Sequence, residues 1–270
     1  AMRQADVAMY EAKRRGGDEV VLYSAVSDVN RPATLVLSGE LRAAIENDEL
    51  WVAYQPIVEV ASGLCLGLEA LARWDHPQRG SIPPDEFIPL AERSGLIRPL
   101  GLWVLERALA DLGHWRTAGN PAGLSVNVSM RQLGDGSFVD TLLTSLGNRG
   151  LPPSALTVEI TESALVREAS RVIGELATLR AAGVRVSIDD FGTGYSSLAY
   201  LHDLPIDEVK IDRSLVADAA TSQRAAVILR AASALARSMA LSFVAEGVKD
   251  EPTWAFLGPL EGVCAQGYFI

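Results

Sequence analysis

A regular alternation of strand-like and helix-like segments is the feature that most limits how this chain folds. In one repeat, apolar residues recur at helical spacing from Leu165 to Leu179, Gly183 suits a helix C-cap, and apolar and polar residues alternate from Val184 to Asp189. Similar strand-like runs occur near residues 50–54, 64–71, 124–128, 156–160, 184–188, 206–211, 241–244 and 262–265. Eight strands, most of them separated by helical stretches, predict an α/β fold, a TIM-type (β/α)8 barrel over residues 34–270. A doubly wound open sheet has the same alternation and is the structural alternative.

The first residues are interpreted as a separate unit. Met2, Ala5, Met9 and Ala12 recur at helical spacing, and residues 20–23 are strand-like. A single helix and strand cannot bury a core, so residues 1–24 are interpreted as the end of a neighbouring domain, joined by a linker over residues 25–33.

Charge limits the class of partner. The chain has 24 Lys and Arg against 34 Asp and Glu, a formal net charge of −10. Binding of a nucleic-acid polymer is therefore disfavoured, because it requires a basic face. A small anionic ligand is still compatible, since bound divalent cations reverse the local sign of an acidic pocket.

Two cysteines, Cys65 and Cys264, lie far apart without ligand-like spacing. This usage predicts neither a disulfide framework nor a zinc cluster, and it favours a reducing cytoplasm. Because no apolar run approaches membrane-spanning length, we expect no membrane contact by this segment, although a longer parent protein could be anchored.

The phase of the strands indicates where polar side chains point. Leu156, Val158 and Ile160 share one face of their strand, which leaves Glu159 on the other. The apolar face is the one that surrounding helices would cover, so the polar face is predicted to line the barrel axis. The same alternation places four further polar residues on that face: Glu69, Asn127, Asp189 and Lys210.

Four of these residues offer oxygen ligands from four different strands: Glu69, Asn127, Glu159 and Asp189. All lie late in their strands, at the end where barrel active sites form. Their mutual repulsion favours a bound cation, and hard oxygen ligands favour Mg²⁺ or Mn²⁺ over zinc. Taken singly, each acid has a simpler reading as a helix cap or solvated residue, the Asp189-Asp190 pair as a turn cap, and Lys210 as a structural ion-pair partner.

The same residues belong to an ordered series of motifs by which residues 35–270 resemble the EAL family of cyclic di-GMP phosphodiesterases. The motifs are Tyr54-Gln55-Pro56-Ile57, Glu69-Ala70-Leu71 with Arg73-Trp74, Phe87-Ile88-Pro89, Asn127-Val128-Ser129, Glu159-Ile160-Thr161-Glu162, Asp189-Asp190-Phe191-Gly192-Thr193-Gly194, Lys210-Ile211-Asp212, Glu246-Gly247-Val248 and Gln266-Gly267. The resemblance implies metal-dependent hydrolysis of cyclic di-GMP to the linear dinucleotide pGpG.

The resemblance also implies roles for individual residues. One metal would be held by Glu69, Asn127, Glu159 and Asp189. Asp189 would bridge to a second metal held partly by Asp190, and Glu246 would be a further ligand of that metal or of a water. Lys210 would lie near the attacking water, either as proton acceptor or as an electrostatic holder, and Glu162 would hold the loop after Asp190. Substrate contacts are expected from Gln55, Arg73 and Gln266, with an ion pair to a neighbouring carboxylate as the alternative for Arg73. Mg²⁺ or Mn²⁺ would support turnover, whereas Ca²⁺ is expected to inhibit.

The amino-terminal unit resembles the last helix and strand of a GGDEF, diguanylate-cyclase-like domain through Ala5-Asp6, Ala8-Met9-Tyr10 and Ala12-Lys13. The letters Gly16 to Glu19 follow that helix, whereas the family signature precedes it, so no cyclase activity is assigned. We therefore expect upstream GGDEF or sensory domains in a tandem signalling protein, and a homodimer as in the family.

Two departures from the family pattern are visible. Lys249 stands where a second Glu is common, and the chain stops at Ile270, where the family usually continues. The competing interpretations of function are a receptor that binds cyclic di-GMP without hydrolysing it and a scaffold with a vestigial pocket.

Overall fold

A computed structural model describes residues 25–47, 49–134, 136–193 and 204–270, with the backbone alone for residues 25–33 and 166–171. The strands are Leu50–Glu59 (β1), Cys65–His76 (β2), Gly80–Ile82 (β3), Gly123–Asn127 (β4), Leu156–Thr161 (β5), Arg185–Phe191 (β6), Glu208–Ile211 (β7), Ser242–Ala245 (β8) and Val263–Ala265 (β9). The helices are Ala25–Glu46 (α1), Pro84–Ser94 (α2), Ile97–Thr117 (α3), Ser137–Asn148 (α4), Glu162–Ala181 (α5), Arg213–Val216 (α6), Gln223–Ser238 (α7) and Glu251–Leu257 (α8), with a short 3₁₀ turn over Pro153–Ala155.

Eight of the strands close into a barrel. Their order around it is β1, β9, β8, β7, β6, β5, β4 and β2, and β2 pairs again with β1. Strand β3 is an addition that pairs with β2 beyond the barrel wall. The predicted TIM-type α/β barrel is confirmed, and each of the eight predicted strands corresponds to a barrel strand.

Strand β1 departs from an all-parallel barrel, because it is antiparallel to both of its neighbours, β2 and β9. Only residues 60–64 separate β1 from β2, too few for the crossover that a parallel pair needs. The other barrel strands are joined by longer connections and run parallel. As a result, β1 begins at the mouth where the other strands end.

Apolar residues form two buried clusters. The larger lies between the barrel strands and the helices around them, with Leu156, Val158 and Ile160 almost inaccessible to solvent. The smaller surrounds the fully buried Trp74, which contacts the ring of Phe87 on α2 at a centroid distance of 5.9 Å. Helices α1, α2 and α3 cover this second cluster, so α1 packs against the part of the barrel wall that contains β2.

The structure describes only part of the amino-terminal region for which the sequence makes predictions. The remnant predicted for residues 1–24 lies outside the described residues. Residues 25–33, predicted as a linker, are helical, because α1 begins at Ala25 and continues to Glu46. Within the described ranges, no helix is both long enough and apolar enough to cross a bilayer.

Candidate active site

The ammonium of Lys210 is the centre of the polar barrel interior. Its Nζ lies 2.8 Å from Glu69 Oε2, 2.9 Å from Glu159 Oε2, 2.8 Å from Glu246 Oε1 and 3.8 Å from Asp189 Oδ1. The lysine and Glu159 side chains have no exposed surface. Residues separated by long stretches of sequence therefore converge as the strand phase predicts.

Strand register explains this convergence. Asn127 is the direct partner of Glu159 across β4 and β5, and Asp189 on β6 is the partner of Thr161 on β5. Parallel strands end on the same side of the barrel, so side chains at these positions meet at one mouth. Glu246 follows β8 directly, where its N–H donates to the carbonyl of Ile211 at 3.1 Å.

Glu69 is held by amide donors as well as by the lysine. Asn127 Nδ2 donates to Glu69 Oε1 at 2.6 Å, and Gln266 Nε2 donates to Glu69 Oε2 at 2.6 Å. The same Gln266 nitrogen lies 3.0 Å from Gln55 Oε1, and Gln55 is the cross-strand partner of Glu69. Gln55 and Gln266, both predicted to contact substrate, thus lie at the carboxylate cluster.

Burial and neighbouring carboxylates have opposite effects on the pKa of Lys210. Burial acts to lower the pKa of Lys210, but the carboxylates of Glu159, Glu69, Asp189 and Glu246 raise it well above its ordinary value. An ammonium held in this way donates and does not accept protons. In this arrangement Lys210 is a cation, which is the charge state that the electrostatic-holder role requires.

The carboxylates respond to burial and to one another. Burial would raise the pKa of Glu69, but the charge of Lys210 and hydrogen bonds from Lys210, Gln266 and Asn127 hold it below its usual value. Burial instead dominates at Glu159, whose pKa is raised well above normal despite Lys210. Burial likewise raises the pKa of Glu246 to about 7, with Lys210 opposing and Asp189 adding to the effect.

At the rim, Asp189, Asp190 and Glu246 offer carboxylate oxygens that all lie within 4.8 Å of one another. Asp190 has a left-handed backbone, with φ of 57°, and its N–H donates to Asp189 Oδ1 at 2.9 Å. Burial and the neighbouring acids Asp189 and Asp212 raise the pKa of Asp190, and burial also raises that of Asp189. This concentration of like charge is the electrostatic condition that a bound cation relieves.

A second observation supports a cation deeper in the barrel. Glu159 Oε1 is buried and has no hydrogen-bond partner among the described residues, which is costly for a carboxylate oxygen unless a cation lies beside it. The surrounding donors are carboxylate and amide oxygens, the ligands that Mg²⁺ and Mn²⁺ prefer. The residues present therefore fit a divalent metal. Asn127 presents its nitrogen to Glu69, so ligation through its oxygen requires the amide to turn.

Glu162, the first residue of α5, holds the loop that follows Asp190. Its Oε2 accepts the Gly192 N–H at 2.8 Å. Gly192 has φ of 100°, and a Cβ built there would lie 2.4 Å from Leu215 Cδ1, so only glycine fits this conformation in this space. This hydrogen bond joins Glu162 to the start of that loop, and Gly194 lies outside the described residues.

A cavity of about 860 Å³ opens beside the carboxylates. Arg73, Asn127, Glu159 and Asp190 line it together with residues of α2, α3 and the loop after β4. The Arg73 guanidinium donates to the backbone carbonyl of Ala72 at 2.9 Å, and this hydrogen bond involves no carboxylate. A second cavity of about 500 Å³ lies far from these acids, beside the ion pair between Arg180 and Asp207.

Sequence reasoning missed a contact that shapes the main cavity. Gln132, in the loop after β4, accepts the N–H of Ser129 through Oε1 at 3.1 Å. Its Nε2 lies 2.1 Å from where a Cβ would be on Gly101 of α3. Because Gly101 has no side chain, the buried Gln132 side chain fits beside it. Sequence reasoning could not find this contact, since no local pattern connects two residues on separate elements.

Comparison with known proteins gives a consistent result. The profile of the EAL domain matches residues 38–270. An uncharacterized signaling protein of Caulobacter vibrioides is 43% identical over 269 residues, which cover 100% of this chain and 33% of the relative. The bifunctional diguanylate cyclase/cyclic di-GMP phosphodiesterase MucR of Pseudomonas aeruginosa is 41% identical over 270 residues, which cover 100% of this chain and 39% of the relative.

Among solved structures, the PaMucR phosphodiesterase in complex with c-di-GMP is similar with a TM-score of 0.82 and 43% identity. The match covers 86% of this chain and 95% of that chain. The chain thus spans only about a third to two-fifths of the length of the two curated relatives.

Proposed function

Because the chain belongs to the EAL domain family, we propose that it is a metal-dependent phosphodiesterase that hydrolyses cyclic di-GMP to pGpG in bacterial second-messenger signalling. The observation that carries this proposal is the meeting of Glu69, Glu159, Asp189 and Glu246 in one barrel mouth, where the buried Glu159 Oε1 has no hydrogen-bond partner in the part of the chain that the structure describes. The cavity beside them has the size of a small-molecule site.

Two groups of residues would hold Mg²⁺ or Mn²⁺. The inner group is Glu69, Asn127, Glu159 and Asp189, and the rim group is Asp189, Asp190 and Glu246. Bound divalent cations supply Lewis-acid chemistry, since they lower the pKa of water and neutralise charge on a phosphodiester. Asp189 would belong to both groups, since its carboxylate lies 3.8 Å from Lys210 among the inner acids and within 4.8 Å of the other rim oxygens.

The protein's own side chains orient the reacting groups. The Lys210 ammonium holds the inner acids in place through its ion pairs with Glu69 and Glu159. Arg73 at the cavity wall has the planar donor pattern that suits a phosphate. Gln55 and Gln266, joined by a hydrogen bond beside Glu69, contact the substrate at the cluster. Glu162 keeps Gly192, and with it the turn after Asp190, against the barrel.

The wider context is proposed on the same basis. Residues 1–24 are the end of a GGDEF-like domain, which is supported by the match to MucR over the whole chain, residues before the EAL match included. Cyclic di-GMP is the small-molecule partner, and upstream GGDEF or sensory domains supply the input. A homodimer and a cytoplasmic location stay predictions from the sequence.

Product analysis tests the proposal. The chain is incubated with cyclic di-GMP and either Mg²⁺ or Ca²⁺, and the nucleotides are separated by chromatography. We expect pGpG with Mg²⁺, and binding with little product with Ca²⁺, because the larger ion prefers looser coordination. Binding without product in Mg²⁺ would show a receptor, and neither binding nor product would show a scaffold.

A further inference from the structure

An antiparallel strand pair forms one wall of the barrel mouth. Strands β1 and β2 keep one register from the pair Gln55 and Glu69 to the pair Trp51 and Arg73. Gln55 and Glu69 point to the barrel interior, since Gln266 Nε2 contacts both. Side chains alternate faces along a strand, so Trp51 and Arg73, each four residues further towards the mouth, share that inner face and lie directly opposite each other.

Aromatic residues on the outer face of the same wall are covered by helices. Tyr54 packs edge-to-face on Trp115 of α3 at 4.6 Å between ring centroids. Trp74 is fully buried against Phe87. Trp51 differs from both, because 47% of its surface is exposed. Among the described residues, Trp51 belongs to neither buried cluster, so apolar packing does not explain a tryptophan on the inner face of the mouth.

The indole of Trp51 is held at one edge. Its Nε1 donates to Asp75 Oδ2 at 2.7 Å, and Asp75 lies two residues beyond Arg73 on the same face. Directly opposed residues of antiparallel strands have Cβ atoms about 5 Å apart, so the ring is a neighbour of the Arg73 side chain. Four residues of strand separate this pair from Glu69, about 14 Å along the wall.

We propose that Trp51 is a stacking platform for one guanine base of the substrate. The inference rests on the proposed function. In that proposal the reacting phosphate lies at the carboxylates, and Arg73, which would bind a phosphate, lies nearer the rim of the barrel on the same strand pair. A cyclic dinucleotide has a second nucleotide that extends away from the reacting phosphate, towards the rim where Trp51 lies. Purine bases stack on an aromatic face, and an indole fixed at its edge loses little freedom when it binds one.

The test compares three variants with the wild-type chain. Trp51→Ala removes the ring, and Trp51→Phe keeps an aromatic face. The control, Leu64→Ala, removes an apolar side chain that is 61% exposed at the far end of the same strand pair. For each protein, KM and kcat for cyclic di-GMP are measured with Mg²⁺, and the Kd is measured with Ca²⁺ by calorimetry.

We expect Trp51→Ala to raise both KM and Kd about tenfold, within the range for stacking of one base, with kcat changed less than about twofold. Trp51→Phe is expected to retain most of the affinity, and Leu64→Ala all of it. Wild-type KM and Kd in Trp51→Ala would overturn the inference, as would a loss of kcat alone. A wild-type chain that binds without turnover contradicts the proposed hydrolysis and leaves the Kd comparison to decide about Trp51, whereas a chain that does not bind contradicts both.

Discussion

The ammonium of Lys210 lies 2.9 Å from Glu159 Oε2, and both side chains are fully buried inside the barrel. A buried lysine is costly unless its charge is matched, and here Glu69 and Glu246 lie equally close to it. The same acids are the proposed metal ligands. The lysine and the metals therefore share one set of carboxylates, and removing either changes how the other is held.

Loss of a proposed inner ligand is expected to abolish turnover while the fold persists. Glu69→Ala and Asp189→Asn remove one carboxylate each, and we expect kcat for cyclic di-GMP to fall by several orders of magnitude because metal binding and charge stabilisation fail together. Product formation and circular dichroism measure activity and fold. Glu261→Gln, at a carboxylate with 82% exposure, is the control, for which we expect wild-type activity. Near-normal rates in either ligand variant would remove the metal assignment.

Lys210→Met is expected to destabilise the metal-free chain by about 3–5 kcal/mol, the usual cost of breaking a buried pair from one side. The matched control is Arg180→Met, which breaks the ion pair with Asp207 at the surface and should cost less than about 1 kcal/mol. Denaturant unfolding in the presence of a chelator measures both. Equal stabilities of Lys210→Met and wild type would contradict the central position of this lysine.

Metal-free stability is expected to fall as the pH rises from about 4.5 towards 7. Glu246 keeps a proton in the folded chain up to its raised pKa of about 7, whereas the unfolded chain releases that proton near the ordinary glutamate pKa of 4.5. The folded state binds more protons in this window, so higher pH favours unfolding. Glu246→Gln removes this proton while Asp189, Asp190 and Glu159 still titrate. The free energy of unfolding with a chelator therefore declines less steeply in Glu246→Gln, and identical slopes would refute the assignment.

Gly101→Ala is expected to cost about 1–3 kcal/mol, as overpacking does, because its Cβ would overlap Gln132 Nε2. In a Gln132→Ala background the same substitution meets no glutamine and should cost little. A double-mutant cycle of unfolding free energies measures this coupling. The same penalty in both backgrounds would show that the glutamine does not occupy the space left by the glycine.

Strand phase was sufficient to predict the barrel and the convergence of its polar residues. Alternation around Glu159 and Asp189 indicates a face, and parallel strands bring those faces to one mouth. The alternation shows which face of a strand a side chain is on, but not how far it lies from side chains on other strands. The sequence therefore could not show that Lys210 lies within reach of four carboxylates. That position depends on the stagger of strands across the closed barrel, which is a property of the whole sheet.

Other misses have local causes. The antiparallel direction of β1 follows from the short connection over residues 60–64, a signal that the sequence contains but that the count of β/α repeats obscures. Strand β3 is only three residues long, too short for a periodic pattern. The contact between Gly101 and Gln132, and the position of Trp51 opposite Arg73, arise from tertiary register and have no motif of their own.

The most direct test of the account is an anomalous-diffraction map of crystals of the chain grown with Mn²⁺. We expect two peaks, one among Glu69, Asn127, Glu159 and Asp189 and a second between Asp189, Asp190 and Glu246. A map with no peak at Asp189, and with Glu69 and Glu159 still paired only with Lys210, would contradict the claim that these carboxylates hold the metal.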